Sequence, residues 1–240
     1  MGESWVTIPT RDGPMLGFLA TAEAPERAAA VVVLQEAYGV NAHIQDVCRR
    51  LAAKGYVALA PEMFHRAGNG LTFPYDDTSR AIAALGTLDN ASFETDVRAS
   101  LAAARDRPEV DARRVGTLGF CMGGFASFLA ACRADPKTSV CFYPGGLVNV
   151  RPIFKLAPLV GEIDRVAAPV LLFYGEADPG IPPADVDRVR QELKGRDKVH
   201  EIVVYPGATH GFFCEARPSY HPDAAADAWE MTLGWLRERL

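Results

Sequence analysis

Residues 113–131 read RRVGTLGFCMGGFASFLAA. A β-branched run enters the turn Gly119-Phe120-Cys121-Met122-Gly123-Gly124, and an Ala/Phe-rich helical pattern leaves it. A nucleophile fenced by glycines between a strand and a helix has a specific use. The sharp turn lifts its side chain clear of a sheet. The first amides of the following helix then point at whatever that side chain attacks, and the helix N-terminus favours negative charge there. Glycine is needed at 119 and 123 because strand and helix approach closely. Cys121 stands at the tip.

The segments on either side alternate strand and helix. Upstream, SWVTIP and MLGFLAT read as two short strands joined at Arg11-Asp12-Gly13-Pro14. AAAVVVLQE is a continuous apolar run, the mark of a parallel strand covered on both faces. NAHIQDVCRRLAAKG carries Ile44, Val47, Cys48 and Leu51 at helical spacing, and YVALAPEMF is the next strand. HRAGNGLTFPYDD is a long loop, and a helix is expected over about 93–105. Downstream come strand SVCFYPGG, a Pro-rich excursion (LVNVRPIFKLAPLVGEI), strand APVLLFYGEAD, helix PADVDRVRQELKG, strand HEIVVYPGATH and the closing helix DAAADAWEMTLGWLRERL. This order predicts an α/β fold, a mostly parallel central sheet with helices on both faces, in one domain spanning residues 1–240.

In such sheets ligands bind at the carboxyl ends of the strands. Glu36, Cys121, Asp178 and His210 each fall at the end of an expected strand. Nucleophile, acid and histidine follow one another in the chain order this elbow architecture uses. His210 would take the thiol proton and return it to the leaving group, and Asp178 would orient His210. The amides of Met122 and Ala37 would form an oxyanion hole. Alternatives stand beside each assignment. Cys121 could be a packed thiol, Asp178 a helix cap with Asp185 and Glu176 as rival acids, and His210 a structural histidine. His43, His65, His200 and His221 lack comparable placement and read as surface or structural.

Composition narrows the class further. The chain has 240 residues, 49% of them hydrophobic, and a net charge of −5. It has no Lys/Arg block, which argues against a nucleic-acid partner. No apolar run reaches membrane-spanning length, and MGESWVTIPTRDG lacks the basic start and apolar core of a signal peptide, so a cytoplasmic location is expected. Five scattered cysteines without a C-x-x-C pair speak against a zinc site or dithiol motif, and no metal is expected.

QEAYGVNAHIQDVCRRLAAKGYVALAPEMF, GFCMGG, YGEADPGIP and YPGATHGF together resemble the dienelactone hydrolases of the α/β-hydrolase fold, over essentially the whole chain. The resemblance implies a Cys121-His210-Asp178 triad without cofactor, Glu36 as a fourth reactive residue, and a thioacyl-enzyme route from a cyclic enol-lactone to a maleylacetate-type acid. It also implies that Glu36 holds the resting thiol until substrate enters, and that the protein is a monomer. Carboxylate-binding arginines are expected as well. Cys214 stands where one would lie, four residues after His210, with Arg217 nearby; Arg80 is the nearest candidate for the other. Ala84 and Thr87 occupy positions where aromatic residues are expected. Tyr143, Phe213 and Tyr38 are further candidates for the pocket. Two other readings remain: a broad carboxylesterase or thioesterase acting on neutral esters, and a non-catalytic ligand-binding or thiol-sensor protein.

Overall fold

The computed structural model describes residues 2–22, 27–150 and 155–240. Eight strands form one sheet in the order β1-β2-β4-β3-β5-β6-β7-β8. The strands are β1 (Gly2–Thr10), β2 (Gly13–Thr21), β3 (Ala28–Leu34), β4 (Val57–Pro61), β5 (Val110–Phe120), β6 (Ser139–Phe142), β7 (Val170–Gly175) and β8 (His200–Tyr205). β1, β2 and β4 pair antiparallel, and every other pairing is parallel. β3, β4 and β7 carry no charged residue along their whole length, as strands covered on both sides require. Within β3, residues 30–34 are all fully buried.

The helices are α1 (Ala42–Ala53), α2 (Thr78–Leu85), α3 (Asn90–Arg105), α4 (Met122–Arg133), α5 (Pro183–Gly195) and α6 (Pro222–Arg239). β5 shows how two of them divide between the faces. Neighbouring residues of a strand point to opposite sides. A Cβ on Gly119 would meet the Gly123 backbone of α4 at 1.9 Å. Phe120 instead meets His43 of α1 edge-on at 5.7 Å. Phe93 of α3 packs on Phe125 of α4 at 6.1 Å, and Arg50 of α1 lies 4.1 Å over the Trp229 ring of α6.

The element boundaries differ from the sequence reading in ways that local chemistry explains. α3 begins at Asn90, ahead of Phe93, because Asp89 and Ser92 form a reciprocal capping box. α2 starts where Asp77 ends the long loop and accepts from the Arg80 amide at 3.3 Å. β8 stops at Tyr205, so His210 lies beyond the strand, past a turn at Pro206 and Gly207, the latter at φ 69°. The Pro-rich excursion holds a short 3-10 helix, Val160–Arg165; residues 151–154 within it lie outside the described residues. His221 caps α6 by accepting from the Ala224 amide at 3.3 Å, a structural role as expected. No helix among the described residues is long and apolar enough to cross a membrane.

Candidate active site

Cys121 is the N-cap of α4 with φ 55° and ψ −114°, in a region L-residues rarely adopt. Close packing of α4 imposes it. A Cβ on Gly123 would sit 2.2 Å from the Leu34 carbonyl oxygen, and one on Gly124 would sit 2.5 Å from the Phe142 carbonyl oxygen. With three glycines the helix start drops onto β3, β5 and β6, and the thiol points away from the sheet edge. No side chain caps α4. Met122 thus offers its amide at the positive end of the helix, where the first amides have no intrahelical acceptor.

His210 Nδ1 lies 2.7 Å from Asp178 Oδ2. Its ring shares the cavity lining with Cys121, close enough for the sulfur to act on its protonation. Burial pushes the imidazole pKa down, but the Cys121 sulfur and Asp178 outweigh it and hold it up at about 10. Asp178 is fixed in turn: its Oδ1 accepts from the Gly180 amide at 2.8 Å. It caps no helix, since α5 begins at Pro183 with Pro182 as its N-cap. The rival acids are engaged elsewhere. Glu176 accepts from the Gly207 amide at 3.3 Å, and Asp185 accepts from Asn149 Nδ2 at 2.7 Å.

The His210 shift carries a stability signature. A raised folded-state pKa means that the fold favours the protonated ring, so this contribution is complete below pH 6.5 and disappears as the pH rises through 10. The Tm difference between the parent and His210→Gln should shrink steadily between those limits. A difference that stays constant or grows across that window contradicts the assigned pairing.

Glu36 is 1% exposed and lies two residues beyond β3. Its Oε1 accepts from the Tyr143 hydroxyl at 2.9 Å and from Arg217 Nη1 at 3.4 Å. Oε2 has no hydrogen-bond partner among the described residues. The carboxylate therefore does not receive the Cys121 thiol, as the resting arrangement implied by the resemblance would have it. Ala37 follows Glu36 directly and is half-buried.

Arg217 reaches Glu36 through a gap left by Gly211, next to His210. A Cβ on Gly211 would lie 2.1 Å from the Arg217 Nη1 atom, and φ there is 79°. The guanidinium sits 5.6 Å over Tyr38 and 5.9 Å over Tyr75, and those rings meet edge-on at 4.7 Å. Burial opposes the charge of Arg217, and Glu36 together with Tyr143, Cys121 and Tyr38 more than restores it. Cys214 accompanies this cluster from within the core, its Sγ 3.0 Å from the Tyr75 hydroxyl.

A cavity of about 400 Å³, its mouth included, opens at Cys121. Met122 and His210 line it beside Cys121, with Leu85, Phe93, Leu156 and Gly145 completing the wall. The substrate-contact candidates from the sequence lie elsewhere. Arg80 is 69% exposed, pairs with Asp77 and stacks 5.4 Å over Phe73, outside the cavity lining. Phe213 is packed in the core between Phe120 and Phe142. Tyr143 is fully buried at φ 37°; its hydroxyl serves Glu36 and its ring meets His210 at 5.0 Å. Tyr38 and Arg217 support Glu36 rather than line the cavity. Leu85, Phe93 and Leu156 carried no signal in the sequence beyond being apolar.

The cysteines separate clearly. Burial pushes up the thiols of Cys48, Cys141 and Cys214, and that of Cys132 to about 12. Cys121 is the only one of the five not fully enclosed. Iodoacetamide at pH 8 should therefore add a single carbamidomethyl group, mapped by peptide mass to Cys121. Modification of a different cysteine first contradicts this ordering.

This strand order, with a strained cysteine-bearing turn after β5 and an aspartate–histidine pair after β7 and β8, defines the α/β-hydrolase fold. The dienelactone hydrolase family model matches residues 15–240, and the chain belongs to that family of carboxylic ester hydrolases. A Synechocystis sp. protein named as a candidate carboxymethylenebutenolidase is 38% identical over 94% of this chain and 92% of its own length. Among solved structures, a Klebsiella pneumoniae protein named as a candidate dienelactone hydrolase superposes with a TM-score of 0.88 at 33% identity, covering 98% of both chains. A promiscuous, dienelactone hydrolase-like phosphotriesterase from metagenomic libraries superposes with a TM-score of 0.82 at 26% identity, over 100% of this chain and 99% of its own.

Proposed function

We propose that the protein hydrolyses a lactone or ester through a thioacyl intermediate on Cys121, with His210 as proton carrier and Asp178 as its orienting acid. The observation that carries this reading is the pairing of His210 with Asp178 at 2.7 Å in a cavity that His210 lines together with Cys121, the latter on a turn strained to φ 55°. His210 Nε2 holds the proton taken from Sγ, in keeping with its raised pKa, and the thiolate attacks the substrate carbonyl carbon. The carbonyl oxygen becomes an oxyanion facing the Met122 and Ala37 amides; losing one such donor typically costs ~3 kcal/mol of transition-state stabilisation. Collapse breaks the bond to the leaving oxygen, which receives the proton from His210. Water then gives a proton to His210 and attacks the thioacyl carbon. The thiolate leaves beside the protonated His210, which restores the starting pair. Each cycle adds one water to one ester bond.

The substrate class implied by family resemblance is an enol-lactone of the dienelactone type, whose enolate is a good leaving group for a sulfur nucleophile. A second reading, neutral esters, is favoured by the cavity itself. Among the described residues that line it there is no lysine or arginine, His210 is held by Asp178, and Arg217 is committed to Glu36. A desolvated substrate carboxylate would lack a partner there. A cytoplasmic monomer built as one domain fits either substrate.

Turnover of cis- and trans-dienelactone beside p-nitrophenyl butyrate distinguishes the two. Fast dienelactone turnover selects the lactone; ester turnover alone selects neutral esters. Turnover that survives Cys121→Ala defeats the mechanism.

A further inference from the structure

We propose that Leu156, locked in place by Asn90, sets the length of the acyl group that the site accepts. This rests on the reading of Cys121 as nucleophile. Four apolar side chains line the cavity, and three belong to helices: Leu85 to α2, Phe93 to α3 and Met122 to α4. Leu156 alone of these four comes from irregular chain, between β6 and the 3-10 helix. Such chain is ordinarily a soft boundary for a binding site.

Here it is stiffened. The Asn90 carboxamide donates from Nδ2 to the Ala157 carbonyl oxygen at 3.0 Å and accepts at Oδ1 from the Ala157 amide at 2.9 Å. A side-chain amide thus makes both bonds that a neighbouring strand would make. A parallel bridge between Asp89 and Lys155 adds to it on the other side of Leu156. Asn90 is the first residue of α3, and Phe93 lies one turn further along the same helix. Two walls of the cavity are therefore joined into one unit, with Leu156, only 9% exposed, held between two tethered residues.

The ligand chemistry follows from these walls. The side chains of Leu85, Phe93, Met122 and Leu156 offer dispersion and water exclusion, so the group beside the reacting carbonyl is an uncharged aliphatic chain. Each methylene buried in such a wall contributes about fourfold in kcat/KM until the chain meets an immovable side chain. The fixed side chain is Leu156.

The test is a series of p-nitrophenyl esters from acetate to octanoate with the parent, Leu156→Ala, Leu156→Trp, Asn90→Ala and Asn90→Asp. In the parent, kcat/KM should climb about fourfold per methylene and then fall. Leu156→Ala should move the maximum roughly two to three carbons longer, the size of the group removed. Leu156→Trp should move it shorter. Asn90→Ala should broaden the profile, and Asn90→Asp, which keeps the acceptor for the Ala157 amide, should broaden it less. A role in folding alone would change Tm and leave the profile in place. An unmoved maximum in both Leu156 variants, with hydrolysis still dependent on Cys121, overturns the proposal and spares the mechanism. If no ester is hydrolysed through Cys121, the mechanism fails instead. The wall is then read from alkylation of Cys121 by N-alkyl iodoacetamides, ethyl to octyl, followed by peptide mass. A shift of the fastest chain length in Leu156→Ala supports the proposal, and identical rate profiles overturn it.

Discussion

Cys121→Ala is expected to lower kcat/KM for the best ester or lactone by a factor of about 10⁴ or more, with Tm nearly unchanged. Removing a nucleophile disables the whole relay, and what survives comes from binding and oxyanion stabilisation alone. Stability should hold because alanine retains the Cβ that makes φ 55° unfavourable, so the variant inherits the same strain as the parent. Cys121→Gly separates the two effects. It should lose activity equally and gain about 1–3 kcal/mol of stability, since glycine adopts this conformation without penalty. Urea unfolding of the three proteins side by side measures this. Equal stability of the glycine and alanine variants would mean that the turn stores no strain. That Gly119, Gly123 and Gly124 force the geometry follows from approaches of 1.9, 2.2 and 2.5 Å to backbone oxygens.

Arg217→Leu is expected to destabilise the fold by about 3–5 kcal/mol at neutral pH, the usual cost of leaving one member of a buried ion pair alone. Glu36 is 1% exposed, and without Arg217 its carboxylate keeps only the Tyr143 hydroxyl bond. The double variant Arg217→Leu/Glu36→Gln should recover most of the loss, because it removes both charges together. Gly211→Ala should approach the single Arg217 variant without touching the arginine, since its methyl would occupy the place of the guanidinium, 2.1 Å from Nη1. Denaturant midpoints of the parent and the three variants form the measurement. A loss under 1 kcal/mol in Arg217→Leu would show that Glu36 does not depend on this cation.

Much of the fold was legible in the sequence because its signals are local. Valine-rich runs without polar alternation mark strands buried on both faces, as in β3 and β7. Glycines at 119, 123 and 124 mark a strand and helix in contact whatever surrounds them. The order of Cys121, Asp178 and His210 along the chain, each just past a strand, carries their convergence because a parallel sheet gathers its strand ends on one edge. The helical start at Asn90 was set by a capping box that an apolar pattern starting at Phe93 does not reveal.

What only the tertiary structure decided is where long side chains go. Arg217 lies seven residues beyond His210 and reaches Glu36 because the chain turns back at Gly211, a matter of loop path rather than spacing. Tyr143 follows a strand like a lining residue, yet its φ of 37° turns it inward to Glu36. Arg80 was placed by its neighbours Asp77 and Phe73, which hold it outside the cavity. Leu85, Phe93 and Leu156 come together from three separate segments, and no periodicity joins them. The sequence by itself determined the sheet, the elbow and the placing of Cys121, Asp178 and His210 past their strands, which depend on backbone and near neighbours. The cavity wall and the partner of Glu36 depend on contacts between residues distant in the chain, so they emerged only when the chain was folded.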